Sequence, residues 1–363
     1  MKQIGMVVGT SSAALGNVMA LAAPEYNFTS YIVVGTLVVI FNLPLCIVIV
    51  SSNQLRHIFG VLAALFSAGA LTGICSIAKG FSRLVAVNGG LSTVRNLSAL
   101  HCIQKPVVLM DQFTFPSVSM LLMVNSFDRL LVVSVPIFYF RKSATIVACQ
   151  IIFAFLSIIV LEAYSFAVAT VMDAHATSTF CRQSEFLPAH IYRTNIIFRL
   201  TCSILSVLMM LVVLYRLTQR RTHSNKIHGD DKQKSIHIHK YMTRQNNFTK
   251  AMLFSCCFTL LLDTVPNIVV VCAYQLGADN FDDYVTYTRI VCMMNAINMA
   301  LVVMCRKTDI RMILLKFFRY PMINDRSIRL FSFRLNYISA TTLRSPQDAK
   351  RPTESKFNSG KNF

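Results

Sequence analysis

Asp128 and Arg129 stand side by side at the foot of a long apolar run that begins near Leu121. A charge inside a membrane span costs about 2.5–3.5 kcal/mol on insertion scales. Such a pair therefore sits at the edge of a span or is held there for a purpose. Adjacent acid and base can neutralise one another in one state and separate in another, which is the chemistry of a switch. Four more ionisable residues interrupt apolar runs: Asp111, Glu162, Arg199 and Asp263. They could meet a ligand, relay a proton or pair among themselves, Arg199 with Glu162 or Asp263, and Asp111 with Gln112 or a water. Asp111 precedes Arg129 by eighteen residues, five helical turns on one face and ~27 Å of helix. The two would then look into one interior from opposite ends.

The elements that must position these residues are membrane spans. Of 363 residues, 54% are hydrophobic and only 14% charged, and the mean hydropathy is +0.54. A soluble domain carries about 25% charged residues. About 20 apolar residues cross a ~30 Å hydrocarbon core. By that measure the spans fall at 29–52, 57–79, 106–134, 144–170, 191–217, 250–275 and 285–305. The second holds Gly69 and Gly73, and polar Asp111-Gln112 interrupts the third. The expected fold is an all-α seven-helix membrane bundle over 29–305. Before it lies an extracellular segment, 1–28, in which residues 1–23 have some character of a signal peptide.

The formal net charge of +19 is informative for where it lies. Arg56, Arg141-Lys142, the segment between spans five and six, and the chain after span seven fall on one side of a seven-span chain. The other side holds fewer cations: Lys79, Arg83, Arg95, Lys105, Arg182 and Arg289. The positive-inside rule then sets the N-terminus outside and the C-terminus in the cytoplasm. Basicity is thereby explained without a nucleic-acid partner. The sequons at Asn27 and Asn96 fall outside, where glycans are added, and that at Asn247 falls inside.

Most of the 11 cysteines lie within spans and read as small packing residues. Cys102, just before span three, and Cys181, in the loop after span four, fall on the oxidising side. A bridge between them would tie that loop over the bundle. No cysteine pair has metal-ligand spacing, and His237-x-His239 lacks a carboxylate or thiolate frame, so no metal or other cofactor is expected. No nucleophile elbow, phosphate-binding glycine loop or His-Glu-x-x-His motif is present, and the chain is not read as an enzyme.

Seven spans, an outer N-terminus, Cys102 with Cys181, and Asp128-Arg129-Leu130 followed by Pro136 and Tyr139 resemble rhodopsin-like G-protein-coupled receptors. Arg306-Lys307-Thr308-Asp309-Ile310-Arg311 resembles the divergent nematode chemosensory serpentine receptors of that class. Asn42 with Leu55-Arg56, Pro266 as the bend of span six, and Asn298 are further matches. The resemblance covers about residues 29–320. It implies that Arg129 is held by Asp128 at rest and turns to a heterotrimeric G protein on activation. In amine receptors of this class an Asp at the position of Asp111 takes a ligand ammonium. The departures are specific. Thr264 stands where the family has Trp, Ala70 where it has its sodium-binding Asp, and Met299 and Val302 alter the span-seven motif.

The expectation is therefore a plasma-membrane receptor, with a sensory cilium as one possible address. It would bind an extracellular cue among Asp111, Gln112, Glu162, Arg199 and Asp263. Neuropeptide or amine receptors of the same fold stay open. So does a secondary transporter built on the embedded charges. An amphipathic helix over 306–320 would lie on lipid. The basic tail 321–363, rich in Ser and Thr, would be disordered and would offer sites for a receptor kinase and arrestin.

Overall fold

In the computed structural model, residues 9–88, 97–171, 176–177, 181–227, 256–277, 281–306 and 311–312 are described. Among them seven helices are long and apolar enough to cross a membrane: Phe28–Ser51, Phe59–Asn88, Pro106–Ser134, Arg141–Val171, Ala189–Gln219, Cys256–Gln275 and Tyr284–Cys305. Hydrocarbon offers no partner for backbone polar groups, so each apolar run satisfies its own as a helix. The protein is a seven-helix bundle of the multi-pass membrane type.

The helices are α1 (Gly9–Ser51), α2 (Asn53–Asn88), α3 (Ala99–Ile103), α4 (Pro106–Ser134), α5 (Pro136–Val171), α6 (Gln183–Phe186), α7 (Ala189–Ile227), α8 (Val265–Gln275) and α9 (Phe281–Arg306). A π-helical turn, Leu260–Thr264, feeds α8. Two short strands, β1 (Leu97–Ser98) and β2 (Ala176–Thr177), pair antiparallel. Pro106 and Pro136 open α4 and α5, where a missing N–H leaves nothing unpaired. Phe59 and Lys142 take non-helical φ/ψ and separate short leading turns from the spans of α2 and α5.

Helix α4 is the central strut and packs on α2, α5 and α7, while α1 packs on α2 and α9. Leu45, Ile49, Val61, Phe66, Leu121 and Ile158 form a fully buried core. Large apolar side chains such as Ile152, Phe153, Val160 and Leu208 point outward, where lipid would meet them. At the α1–α2 contact the two backbones touch. A Cβ on Gly73 would stand 2.7 Å from Gly35 O, and one on Gly35 would stand 2.8 Å from Gly73 O. Small residues let membrane helices approach in this way. Gly73→Val is expected to lower stability by about 1–3 kcal/mol through overpacking. A melting temperature equal to the parent's would contradict this close approach.

Two expectations change. The second span does not end at Lys79: α2 runs to Asn88, and Lys79 and Arg83 are buried within it. Arg289, counted among the outer-side charges, is buried in α9. As span 106–134 and the inward-looking Asp111 lead one to expect, α4 runs unbroken through Asp111-Gln112, whose side chains are 1% and 3% exposed.

Helix α1 also begins upstream of the first span, so part of segment 1–28 is helical. Asn27 lies in α1 at the edge of that span, whereas Asn96 and Asn247 lie outside the described residues. The described residues belong to one compact unit, and residues 315–363, the expected tail among them, lie outside the described residues. Of the expected helix 306–320, only Arg306, Arg311 and Met312 are described, all three as helical.

Candidate functional site

One end of the bundle is closed by a small cap. Leu97 pairs with Thr177 and Ser98 with Ala176, which brings the loop after α5 beside the start of α3. Ser98 caps α3, its hydroxyl accepting from His101 N–H at 3.2 Å. The expected Cys102–Cys181 disulfide is present, with Cα atoms 5.4 Å apart. Phe186, Leu187 and Ile191 pack behind it.

Beneath the cap is a partly open pocket of about 550 Å³, solvent at its mouth included. Gln112, Phe115 and Pro116 of α4 line it, with Asn195 and Arg199 of α7, Asn267 of α8, Arg289 of α9 and Gln183 of α6. A deeper cavity of about 320 Å³ shares Phe115 and Arg199 and reaches Ser119, Asp263 and Cys292. Both guanidinium groups approach the Phe115 ring: Cζ of Arg199 is 3.4 Å and that of Arg289 is 4.3 Å from its centroid. Attraction to a ring face at this range is worth about 2 kcal/mol when desolvated.

The embedded charges sort into two clusters. Asp111 Oδ2 accepts from Lys79 Nζ at 2.9 Å and from Arg289 Nη2 at 2.6 Å. This corrects the expected pairing of Asp111 with Gln112 or water. Asp263, on the π-turn, accepts from the Ser203 hydroxyl and, at 3.2 Å, from Asn267 Nδ2. Its link to Arg199 Nη2 is long, at 3.8 Å, so that pair is close without being hydrogen-bonded. Of the two partners considered for Arg199, Asp263 is the one at hand. Glu162 is half-buried, does not line either cavity, and its Oε1 has no hydrogen-bond partner among the described residues.

Thus three of the five pocket candidates, Gln112, Arg199 and Asp263, line the cavities, and Asp111 anchors Arg289 from behind. Lys79, Arg83 and Arg289 were missed as interior residues. A signal for two of them was in the sequence. Thr72, Ser76, Lys79 and Arg83 follow one another at steps of four, three and four, a single helix face, and all are buried.

At the opposite end Asp128 is held twice. Its Oδ1 accepts from the Tyr139 hydroxyl at 2.7 Å, and Arg129 Nε stands 3.9 Å from Oδ2. Arg129 also lies over Phe59, 5.6 Å from the ring centroid. The shorter contact is therefore to Tyr139 on the first turn of α5, and the Asp128–Arg129 pair is loose. Burial and the neighbouring carboxylate push the Tyr139 phenol well above its usual range, so it remains a donor.

Between the two ends runs a polar seam. Ser126 and Ser206 hydroxyls bond at 2.7 Å across α4 and α7, and Thr259 donates to Asn295 at 3.2 Å. Buried Asn42 and Asn295 line a third cavity of about 270 Å³. Pro266 lies one residue into α8, directly after the π-turn that carries Asp263. Proline lacks the N–H that a regular turn needs, and a π-turn is where a helix most readily changes register. Among the described residues no three metal-ligating side chains converge. Comparison with protein-family models and with curated proteins returns no match to the chain.

Proposed function

We propose that this protein is a G-protein-coupled receptor for a small extracellular cue, and that it acts on a heterotrimeric G protein at the Asp128–Arg129 end. The observation that carries the reading is that α4 holds both halves of such a device. Its first turns supply Gln112, Phe115 and Pro116 to a capped cavity, and its last turns supply Asp128 and Arg129. The excess of Lys and Arg in the segments on the Arg129 side supports a cytoplasmic address for that end.

A ligand entering the upper cavity meets Arg199, whose loose partner Asp263 sits on the π-turn before Pro266. Drawing Arg199 away from Asp263 removes an attraction between α7 and the sixth span. A shift of that span at its irregular turn would open the bundle at the Arg129 end. There Arg129 is held by two weak contacts, an ion pair at 3.9 Å and the Phe59 ring, and a small movement alters both.

The test is a response screen in cells that express the chain, read as cAMP or calcium, with Arg129→Ala beside the parent. Arg129→Ala is expected to remove at least nine-tenths of any ligand response at equal surface expression, a tenfold loss equivalent to roughly 1.4 kcal/mol. A full response without Arg129 would sink coupling through this residue. Gradient-driven uptake of the cue into proteoliposomes would replace the receptor with the transporter.

A further inference from the structure

We infer that the capped cavity takes a small organic acid, its oxyanion held by Arg199 and Arg289 at the Phe115 ring. The inference rests on the receptor reading for its purpose, but its geometry stands independently. Both arginines are 6% exposed and line the cavity. Neither Nε has a hydrogen-bond partner among the described residues. Arg289 spends Nη2 on Asp111, and Arg199 reaches Asp263 only at 3.8 Å. Buried guanidinium groups with unused N–H donors call for an acceptor, and a carboxylate or sulfate ester offers several in one plane or cluster.

The charge balance points the same way. Lys79, Arg83, Arg199 and Arg289 lie buried in this half of the bundle against Asp111, Asp263 and half-buried Glu162. That is four cations and three acids, one positive charge in excess. A ligand ammonium at Asp111 would instead have to compete with Lys79 at 2.9 Å and Arg289 at 2.6 Å. An entering anion would share Arg289 with Asp111, which holds Nη2, and would take the Nε donor that has no partner among the described residues. The remaining lining describes the rest of the molecule. Phe115, Ile196, Val270 and Val285 accept an apolar body. Asn195 Oδ1, on the wall and without a hydrogen-bond partner among the described residues, fits an amide or hydroxyl donor on that body.

The experiment uses the purified full chain in lipid nanodiscs and reads thermal stability against a matched set of probes. The set holds aromatic and aliphatic carboxylates, including hippurate and indole-3-acetate, with their methyl esters, the corresponding amines, phenyl sulfate and inorganic sulfate. Stabilisation confined to the organic oxyanions is expected, and carboxylates against phenyl sulfate separates the two sources of that charge. Arg199→Gln should raise the Kd of each hit by about tenfold to a hundredfold, the loss of a charged hydrogen-bonding partner. Arg199→Lys should recover part of it. Equal stabilisation by esters or amines, protection by inorganic sulfate alone, or no stabilisation by any organic oxyanion overturns the inference. So does binding that Arg199→Gln leaves unchanged. Acids that bind through Arg199 but evoke no Arg129-dependent signal would uphold this inference and sink the receptor. Non-acidic cues that signal through Arg129 would do the reverse.

Discussion

Asp111→Asn is expected to cost about 3–5 kcal/mol and to leave little folded protein. Oδ2 of Asp111 alone answers both Lys79 and Arg289, and all three side chains are buried. Asparagine keeps the shape and removes the charge, so two cations are left facing each other with no anion between them. Lys79→Met should be far milder, because Arg289 and Asp111 remain as a neutral pair. Combining Lys79→Met, Asp111→Asn and Arg289→Met should recover most of the loss, since an apolar replacement of a whole buried cluster is often neutral. Yield and melting temperature of the four proteins decide it. An Asp111→Asn protein as stable as Lys79→Met would show that the cluster does not depend on its one carboxylate.

The same cluster explains how far the sequence could be read. Seven apolar runs gave the bundle, because span length and backbone self-satisfaction leave no other all-helical solution. Cys102 and Cys181 were legible from their side of the topology. The span limits were legible only where apolar residues ended them. Hydropathy treats Lys79 and Arg83 as a boundary, yet Asp111 lies across the contact between α2 and α4 and carries Lys79 inward. A charge at one position is cheap or costly according to a partner distant in sequence, and no local window contains both. Arg289 is 178 residues from Asp111.

The switch end shows a related limit. Adjacent Asp128 and Arg129 suggest their own pairing. On a helix, neighbouring residues diverge by about 100°, so one neighbour cannot face the other squarely. Asp128 turns instead to Tyr139, eleven residues on, across the break at Val135 and Pro136. The expected Asp128–Arg129 contact exists at 3.9 Å, but the hydrogen bond that fixes the carboxylate comes from the next helix.

Removing the Cys102–Cys181 bridge is expected to lower stability by about 2–4 kcal/mol. It closes a loop with a sequence separation of 79, and in the chain-entropy account a loop that long restrains the unfolded state strongly. Besides the bond, the apolar cluster of Phe186, Leu187 and Ile191 and the two-residue strands β1 and β2 hold the cap among the described residues. Cys181 also adopts φ 46°, a left-handed conformation disfavoured for residues with a Cβ. The choice of replacement then carries information. With the bridge gone, Cys102→Ala/Cys181→Ala must either keep that backbone at a cost or let it relax. Cys102→Ala/Cys181→Gly carries no Cβ penalty and is expected to be about 1 kcal/mol more stable if the native path is kept. Melting temperatures of the two double variants measure the difference. If they are equal, the backbone at 181 has relaxed and the disulfide was what imposed its conformation. Because Gln183 of the adjoining α6 lines the cavity, that outcome also predicts weaker binding of any cavity ligand in both variants. If glycine is the more stable, the cap keeps its shape without the bond, and ligand binding should survive in the glycine variant.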